Sequence, residues 1–188
     1  MIEGIELYAD CNSCFMVYLE KPMALNLAAC KRLKAASEKL GVKLSVAHYR
    51  RNLPLFMEVK NILKQGDIGA VKEVQITMLK KTDKAAHDPS NWRVDPSIAG
   101  GGYFYDLAPH QIDLVFYFFG QPRSFSGTSS NKAGLYKAED YVQGSIVLKN
   151  GIVCKGLWDF SIDGEEKDEF LIIGEKGTIR FPVFGLFI

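Results

Sequence analysis

Residues 95–120 read DPSIAGGGYFYDLAPHQIDLVFYFFG, and this stretch organises the rest of the chain. Three consecutive glycines, Gly100 to Gly102, let the backbone pass close to a neighbour and leave the first-turn N–H groups of a following helix accessible. The segment Tyr103 to Phe119 is apolar and aromatic over most of its length, so it is predicted as a long helix. Gly120 and Pro122 stop it. At 3.6 residues per turn Asp106, His110 and Asp113 fall at about 0°, 40° and −20°. Three ionisable side chains thus share one narrow stripe of an otherwise greasy helix.

Downstream, Tyr141 to Leu148 and Ile152 to Phe160 read as strands joined by Lys149-Asn150-Gly151, and Asn-Gly is the favoured pair for a tight hairpin. Phe170 to Ile173 and Thr178 to Phe181 make a second hairpin around Glu175-Lys176-Gly177. Upstream, Val71 to Leu79 alternates, with Val74, Ile76 and Met78 on one face and Glu73, Gln75 and Thr77 on the other. That pattern predicts a half-buried strand of an antiparallel sheet. Further upstream the rhythm is strand, helix, strand, helix. A helix is expected from Asn26 to Leu40, capped by Asn26 and ended by Gly41, then a short strand at Lys43 to Ala47. Another helix runs from Pro54 to Lys64, with proline in the first turn, and Gly66 ends it. The predicted class is α+β: a residual α/β piece, residues 1–52, feeding a predominantly antiparallel sheet with a long helix packed on it, residues 53–188.

Composition narrows the function. With 23 Lys+Arg against 22 Asp+Glu, the chain lacks the basic surplus a nucleic-acid binder needs. A 47% hydrophobic and 12% aromatic content supplies a packed core rather than disorder. The longest apolar run, Leu114 to Phe119, is too short for a bilayer span, and the first residues have no basic n-region, so no membrane partner and no signal peptide are expected. A cytoplasmic globular chain is the expectation. Four cysteines are too few and too scattered for a disulfide scaffold, and Cys11-Asn12-Ser13-Cys14 has redox or zinc spacing without a second pair to complete it.

Several residues offer chemistry. A carboxylate one turn before a histidine orients the ring and raises its basicity, as a general base requires, which singles out Asp106 and His110. The plainer alternative is that Asp106 complements the helix dipole and Asp113 caps a neighbouring loop. A metal site of Asp-His-Asp type is not expected, because one helix face rarely completes a ligand set. In Glu20-Lys21-Pro22, a lysine before proline is held extended, and a cis bond there would aim the ammonium out of the strand end. His48-Tyr49-Arg50-Arg51-Asn52 follows the next strand at the end where open α/β sheets take ligands, which favours one arginine facing a cleft. Trp92-Arg93 could wall a planar ligand or anchor its loop, and His87 sits among polar neighbours.

Taken in order, these landmarks resemble the Gfo/Idh/MocA family of NAD(P)-dependent oxidoreductases. The resemblance runs from about Tyr18 to Phe181. It rests on Glu20-Lys21-Pro22, the helix Leu25 to Leu40, His48 to Asn52, Trp92-Arg93, Gly100 to Gly102 with Asp106, His110 and Asp113, and Gly174-x2-Gly177-Thr178-Ile179. The resemblance implies Lys21, Asp106 and His110 as catalytic residues. It implies Glu20, Lys21, Pro22, Arg50, Trp92 and Arg93 against an NAD or NADP cofactor, and Asn52, Asp106 and His110 against a sugar or polyol. The implied reaction is hydride transfer at a carbinol carbon. Family members begin with a dinucleotide-binding domain whose first turn carries GxGxxG, and the 17 glycines here do not form that motif. A member shortened at both ends, with impaired activity and a tendency to form a homodimer or larger homo-oligomer through its open sheet edge, is therefore expected. Two other readings stay open: a non-enzymatic dimerisation or ligand-binding remnant, and an NAD-dependent glycosidase of the same family.

Overall fold

The computed structural model describes residues 16–82, 88 and 90–185, and the chain divides after His48 into two compact units. Cys11, Cys14 and His87 lie outside the described residues. Among the described residues no helix is long and apolar enough to cross a membrane.

The first unit is a strand–helix–strand arrangement: β1 (Met16–Leu19), α1 (Leu27–Leu40) and β2 (Lys43–Val46). The two strands pair in parallel, Met16 opposite Lys43 through Leu19 opposite Val46. Asn26 caps α1 as its side chain accepts the Ala29 N–H at 2.9 Å, the role Asn takes at a helix start. Gly41 closes the helix in the left-handed conformation at φ 65°. Leu33 and Ala24 form a small core, with Val17, Leu19 and Leu44 packed around it.

The second unit begins with a 3₁₀ turn, Tyr49–Asn52, and α2 (Pro54–Gln65). It continues through β3 (Val71–Lys81), a 3₁₀ turn at Trp92–Val94, the one-turn α3 (Pro96–Ala99) and α4 (Tyr103–Phe119). Five strands complete it: β4 (Pro122–Ser130), β5 (Tyr141–Leu148), β6 (Val153–Ile162), β7 (Lys167–Gly174) and β8 (Thr178–Phe181). The sheet order is β4-β5-β6-β3-β7-β8.

Two features depart from the sequence reading. The central pair β3–β6 is parallel, Glu73 opposite Val153 through Leu79 opposite Asp159, while the other pairings are antiparallel. Alternation within β3 reports which face is buried and not the direction of a partner strand some eighty residues away. The second departure is β4, which was not anticipated. Its sequence, PRSFSGTSS, is serine-rich and lies almost wholly exposed at the sheet edge, so it carries no hydrophobic signal.

The core lies between α2, α4 and one face of the sheet. Val74, Ile76 and Met78 of β3 are 0–1% exposed and face the helices with Trp158, Phe160, Phe170 and Ile172. Helix α4 meets this face through Phe104, edge-on to Trp158 at 5.0 Å, and Phe118, edge-on to Phe170 at 6.0 Å. Burying an aromatic or branched side chain of this kind stabilises by roughly 1.5–3 kcal/mol. A polar contact fixes the rotation of α4: Trp158 Nε1 donates to Gln111 Oε1 at 2.6 Å inside this interface.

Candidate functional site

Helix α4 sets the geometry of the site in the second unit. Its hydrophobic faces are committed to the sheet, so the stripe carrying Asp106 and His110 is turned elsewhere. His110 is 6% exposed, and its ring lies edge-on to Tyr49 at 5.9 Å and to Phe184 at 5.7 Å. Tyr49 opens the 3₁₀ turn and Phe184 follows β8, so two distant segments close around one helix residue. Both are anchored. The Phe184 N–H donates to Asp168 Oδ2 at 2.5 Å, which fixes the segment carrying that ring. The Tyr49 turn is held by Arg51, whose Nε and Nη2 donate to Asp113 Oδ2 and Oδ1 at 2.8 and 2.5 Å.

Asp113 is thus engaged by a residue outside its own helix. Its buried carboxylate is taken up by Arg51, and that hydrogen bond raises the guanidinium pKa above its ordinary value. Arg50 is engaged as well. Its guanidinium lies 5.4 Å from the Tyr49 ring and 4.5 Å from the Phe184 ring, and Nη1 donates to the Val183 carbonyl at 2.6 Å. Asn52 ends the turn and is exposed.

Asp106 sits in the first turn of α4 with Arg93 Nε 3.8 Å from its Oδ2. Arg93 also lies over the Trp92 ring at 4.7 Å, so the Trp92–Arg93 pair forms one wall beside Asp106. A cavity of about 580 Å³ opens there, lined by Lys80, Lys81, Asn91, Arg93, Asp106 and Glu166 among others.

The glycine run does something other than expected. The Gly102 N–H donates to Glu139 Oε1 at 3.3 Å. A Cβ at Gly102 would stand 2.8 Å from both Ala138 Cβ and the Glu139 carbonyl oxygen. The close approach is to this chain's own 138–139 segment, and that N–H is already taken.

Glu20, Lys21 and Pro22 follow β1 in the first unit, and the Lys21–Pro22 bond is cis. Lys21 and His48 thus come after the carboxyl ends of two parallel strands. Among the described residues no group of three or more His, Cys, Asp or Glu side chains could hold a metal ion. Cys154 is buried beneath α4, and burial pushes its thiol up to about 12, which leaves it unreactive.

Sequence reasoning missed Tyr49 and Phe184 as neighbours of His110, and Lys80 as a residue lining the same cavity as Asp106. Lys80 carried a legible signal. It extends the buried row Val74, Ile76, Met78 by one more step of two.

Comparison with known proteins now decides the family. Residues 56–180 match the GFO/IDH/MocA C-terminal domain. This chain belongs to the Gfo/Idh/MocA family. As a Gfo/Idh/MocA chain it is 42% identical over 170 residues to "Oxidoreductase P35" of Formosa agariphila, covering 89% of this chain and 52% of that protein. It is 31% identical over 170 residues to the scyllo-inositol 2-dehydrogenase (NADP(+)) of Bacillus subtilis, covering 90% of this chain and 46% of that protein. The WlbA dehydrogenase of Bordetella pertussis, solved with NADH and UDP-GlcNAcA, superposes with a TM-score of 0.81 at 26% identity. It covers 95% of this chain and 52% of the other. The chain spans about half the length of the curated relatives it matches. Its α+β fold and its kinship to oxidoreductases follow from these matches.

Proposed function

We propose that this chain carries the substrate side of an NAD(P)-dependent oxidoreductase that acts at a carbinol carbon of a sugar or polyol. The observation that carries this reading is Asp106 and His110 one turn apart on α4, with His110 enclosed between the rings of Tyr49 and Phe184. Relatives named for an inositol dehydrogenase and a dehydrogenase solved with NADH and a sugar nucleotide support the same class.

The residues fit one end of such a cofactor. Lys21 follows the carboxyl end of a parallel strand, the position at which open α/β sheets take ligands, whereas a glycine fingerprint for the pyrophosphate has no counterpart in the sequence. When bound, the nicotinamide supplies the hydride acceptor or donor. In the oxidative direction a ring nitrogen of His110 takes the hydroxyl proton as the carbinol hydrogen departs with its electron pair. Asp106 orients the hydroxyl and its neighbours, and the Lys21 ammonium stabilises the charge that develops on oxygen. The enclosing rings of Tyr49 and Phe184 keep water from His110. Glu20, Pro22, Arg50, Trp92 and Arg93 belong to the cofactor side of this reading, and Asn52 to the substrate side. Homo-oligomerisation belongs to it too, since β4 ends the sheet with Phe125 82% exposed.

Titration of the chain with NADH and with NADPH, followed by nicotinamide fluorescence, tests the reading. Saturable micromolar binding that weakens in Lys21→Ala is the expected result, together with turnover of a polyol abolished in His110→Ala. Absence of binding to either cofactor at millimolar concentration sinks it for this chain.

A further inference from the structure

We infer that the cavity beside Asp106 is an anion subsite, so that the sugar taken by this chain bears a carboxylate or an acidic ester. The inference rests on the oxidoreductase reading of Asp106 and His110, and it names the substrate class of that site. Its first support is the register of β3. Val74, Ile76 and Met78 are buried beneath the helices, and Lys80 is the next residue of the same row. It continues the row that faces the core, and it lines the cavity that Asp106 also lines.

The second support is an irregularity in the partner strand β6. Successive strand residues ordinarily point to opposite faces. The β3–β6 register shifts between Leu79 and Lys81: β3 advances two residues while β6 advances three, from Asp159 to Ile162, so β6 carries the extra residue, and Phe160 within that stretch lines the cavity together with Lys80 and Lys81. A bulge of this kind re-aims side chains and is common beside functional sites.

The third support is charge. Lys80, Lys81 and Arg93 face Asp106 and Glu166, three cations against two carboxylates. Both carboxylates are engaged, Asp106 with Arg93 and Glu166 with the Lys81 backbone N–H at 2.9 Å. Among the described residues neither Lys80 nor Lys81 has an ion-pair partner. By comparison, Lys72, Lys155 and Lys167 of the same sheet each meet a carboxylate at 2.5–3.0 Å. Two uncompensated ammonium groups and a guanidinium around a cavity of sugar size recognise a negative group held on a sugar frame.

Calorimetric titration of the full chain with D-glucuronate, D-glucose 6-phosphate and D-glucose tests this directly, with Lys80→Met as the variant. We expect one anionic sugar to bind at least about tenfold tighter than glucose, a preference that shrinks with added salt and disappears in Lys80→Met. Unchanged thermal melting of the variant excludes a folding defect. Whether D-glucuronate or D-glucose 6-phosphate binds tighter then separates the two sources of charge. Equal affinity for glucose overturns the inference, as does a preference that survives in Lys80→Met or inorganic phosphate binding as tightly as the sugar phosphate. The cofactor titration decides the oxidoreductase reading separately. Nicotinamide binding without anion preference removes the subsite and leaves the enzyme, and anion preference without nicotinamide binding does the reverse.

Discussion

Arg51 and Asp113 meet through two hydrogen bonds across 62 residues of sequence, and they tie the turn that bears Tyr49 to the helix that bears His110. The Asp113 side chain is 9% exposed, so losing Arg51 would remove two charge-assisted hydrogen bonds from a nearly buried carboxylate. Arg51→Ala is expected to destabilise the chain by about 2 kcal/mol, near the range for a hydrogen bond to a charged group and lowered because Arg51 itself is partly solvated. The denaturant midpoint measures the loss. Arg51→Ala combined with Asp113→Asn should cost less than the two single changes added, because the second removes the charge that Arg51 compensates.

Trp158 and Gln111 pose a related test with no charge involved. Gln111 is 0% exposed, its carbonyl accepts the indole N–H, and its amide nitrogen has no hydrogen-bond partner among the described residues. Trp158→Phe leaves the whole buried amide unsatisfied and should destabilise by about 1–3 kcal/mol. Adding Gln111→Leu to that variant removes the stranded polar group and should recover part of the loss. A double variant less stable than Trp158→Phe alone would show that the amide is satisfied by another route.

These two pairs mark what the sequence conceals. Helix α4 was legible because Gly102 and Gly120 bracket an apolar segment, and Asp106 with His110 stood out at one-turn spacing. Asp113 fell on the same stripe by the same arithmetic, yet periodicity does not know that Arg51 waits beside it. The Tyr49 and Phe184 rings reach His110 from positions 61 residues before it and 74 after, distances no local pattern spans. The antiparallel hairpins were readable from Gly151 and Gly177, whereas the parallel β3–β6 pairing depends on a partner chosen by the tertiary fold. Strand β4 was hidden because an edge strand exposed to water needs no apolar face.

Acid should weaken the segment that joins β4 to β5. Asp140, 1% exposed, accepts the N–H groups of Lys132 and Ala133 at 2.6 and 2.8 Å. Lys132 Nζ then reaches Asp159 at 2.9 Å. Burial pushes the Asp159 carboxyl up, but the hydrogen bonds from Lys132 and Ser161 outweigh it and hold the group below the ordinary value of 3.8. A depressed carboxylate contributes stability above its unfolded pKa and loses it as pH falls through the folded one. Lys132→Met should therefore be less stable than the parent at neutral pH, and the gap should close as pH drops below 3.8. Urea midpoints at neutral pH and in the acid range give the comparison; a gap that stays constant with pH would disconnect Lys132 from Asp159.

Gly102 offers the sharpest steric prediction. It precedes α4, and a Cβ placed there would lie 2.8 Å from Ala138 Cβ and from the Glu139 carbonyl oxygen. Neither neighbour is the free end of a long side chain, so the 138–139 backbone or the start of α4 must shift. Asp140, next in sequence, is pinned by the two N–H groups it accepts, which leaves the 138–139 backbone little room to yield. Gly102→Ala is expected to cost about 1–3 kcal/mol, the usual range for overpacking a tight contact. Gly164 has open space around its added Cβ and serves as the control, with a change within about 0.5 kcal/mol. If instead α4 gives way, Asp106 moves with the first turn. On the proposed reading, the preference between charged and neutral sugars should then fall.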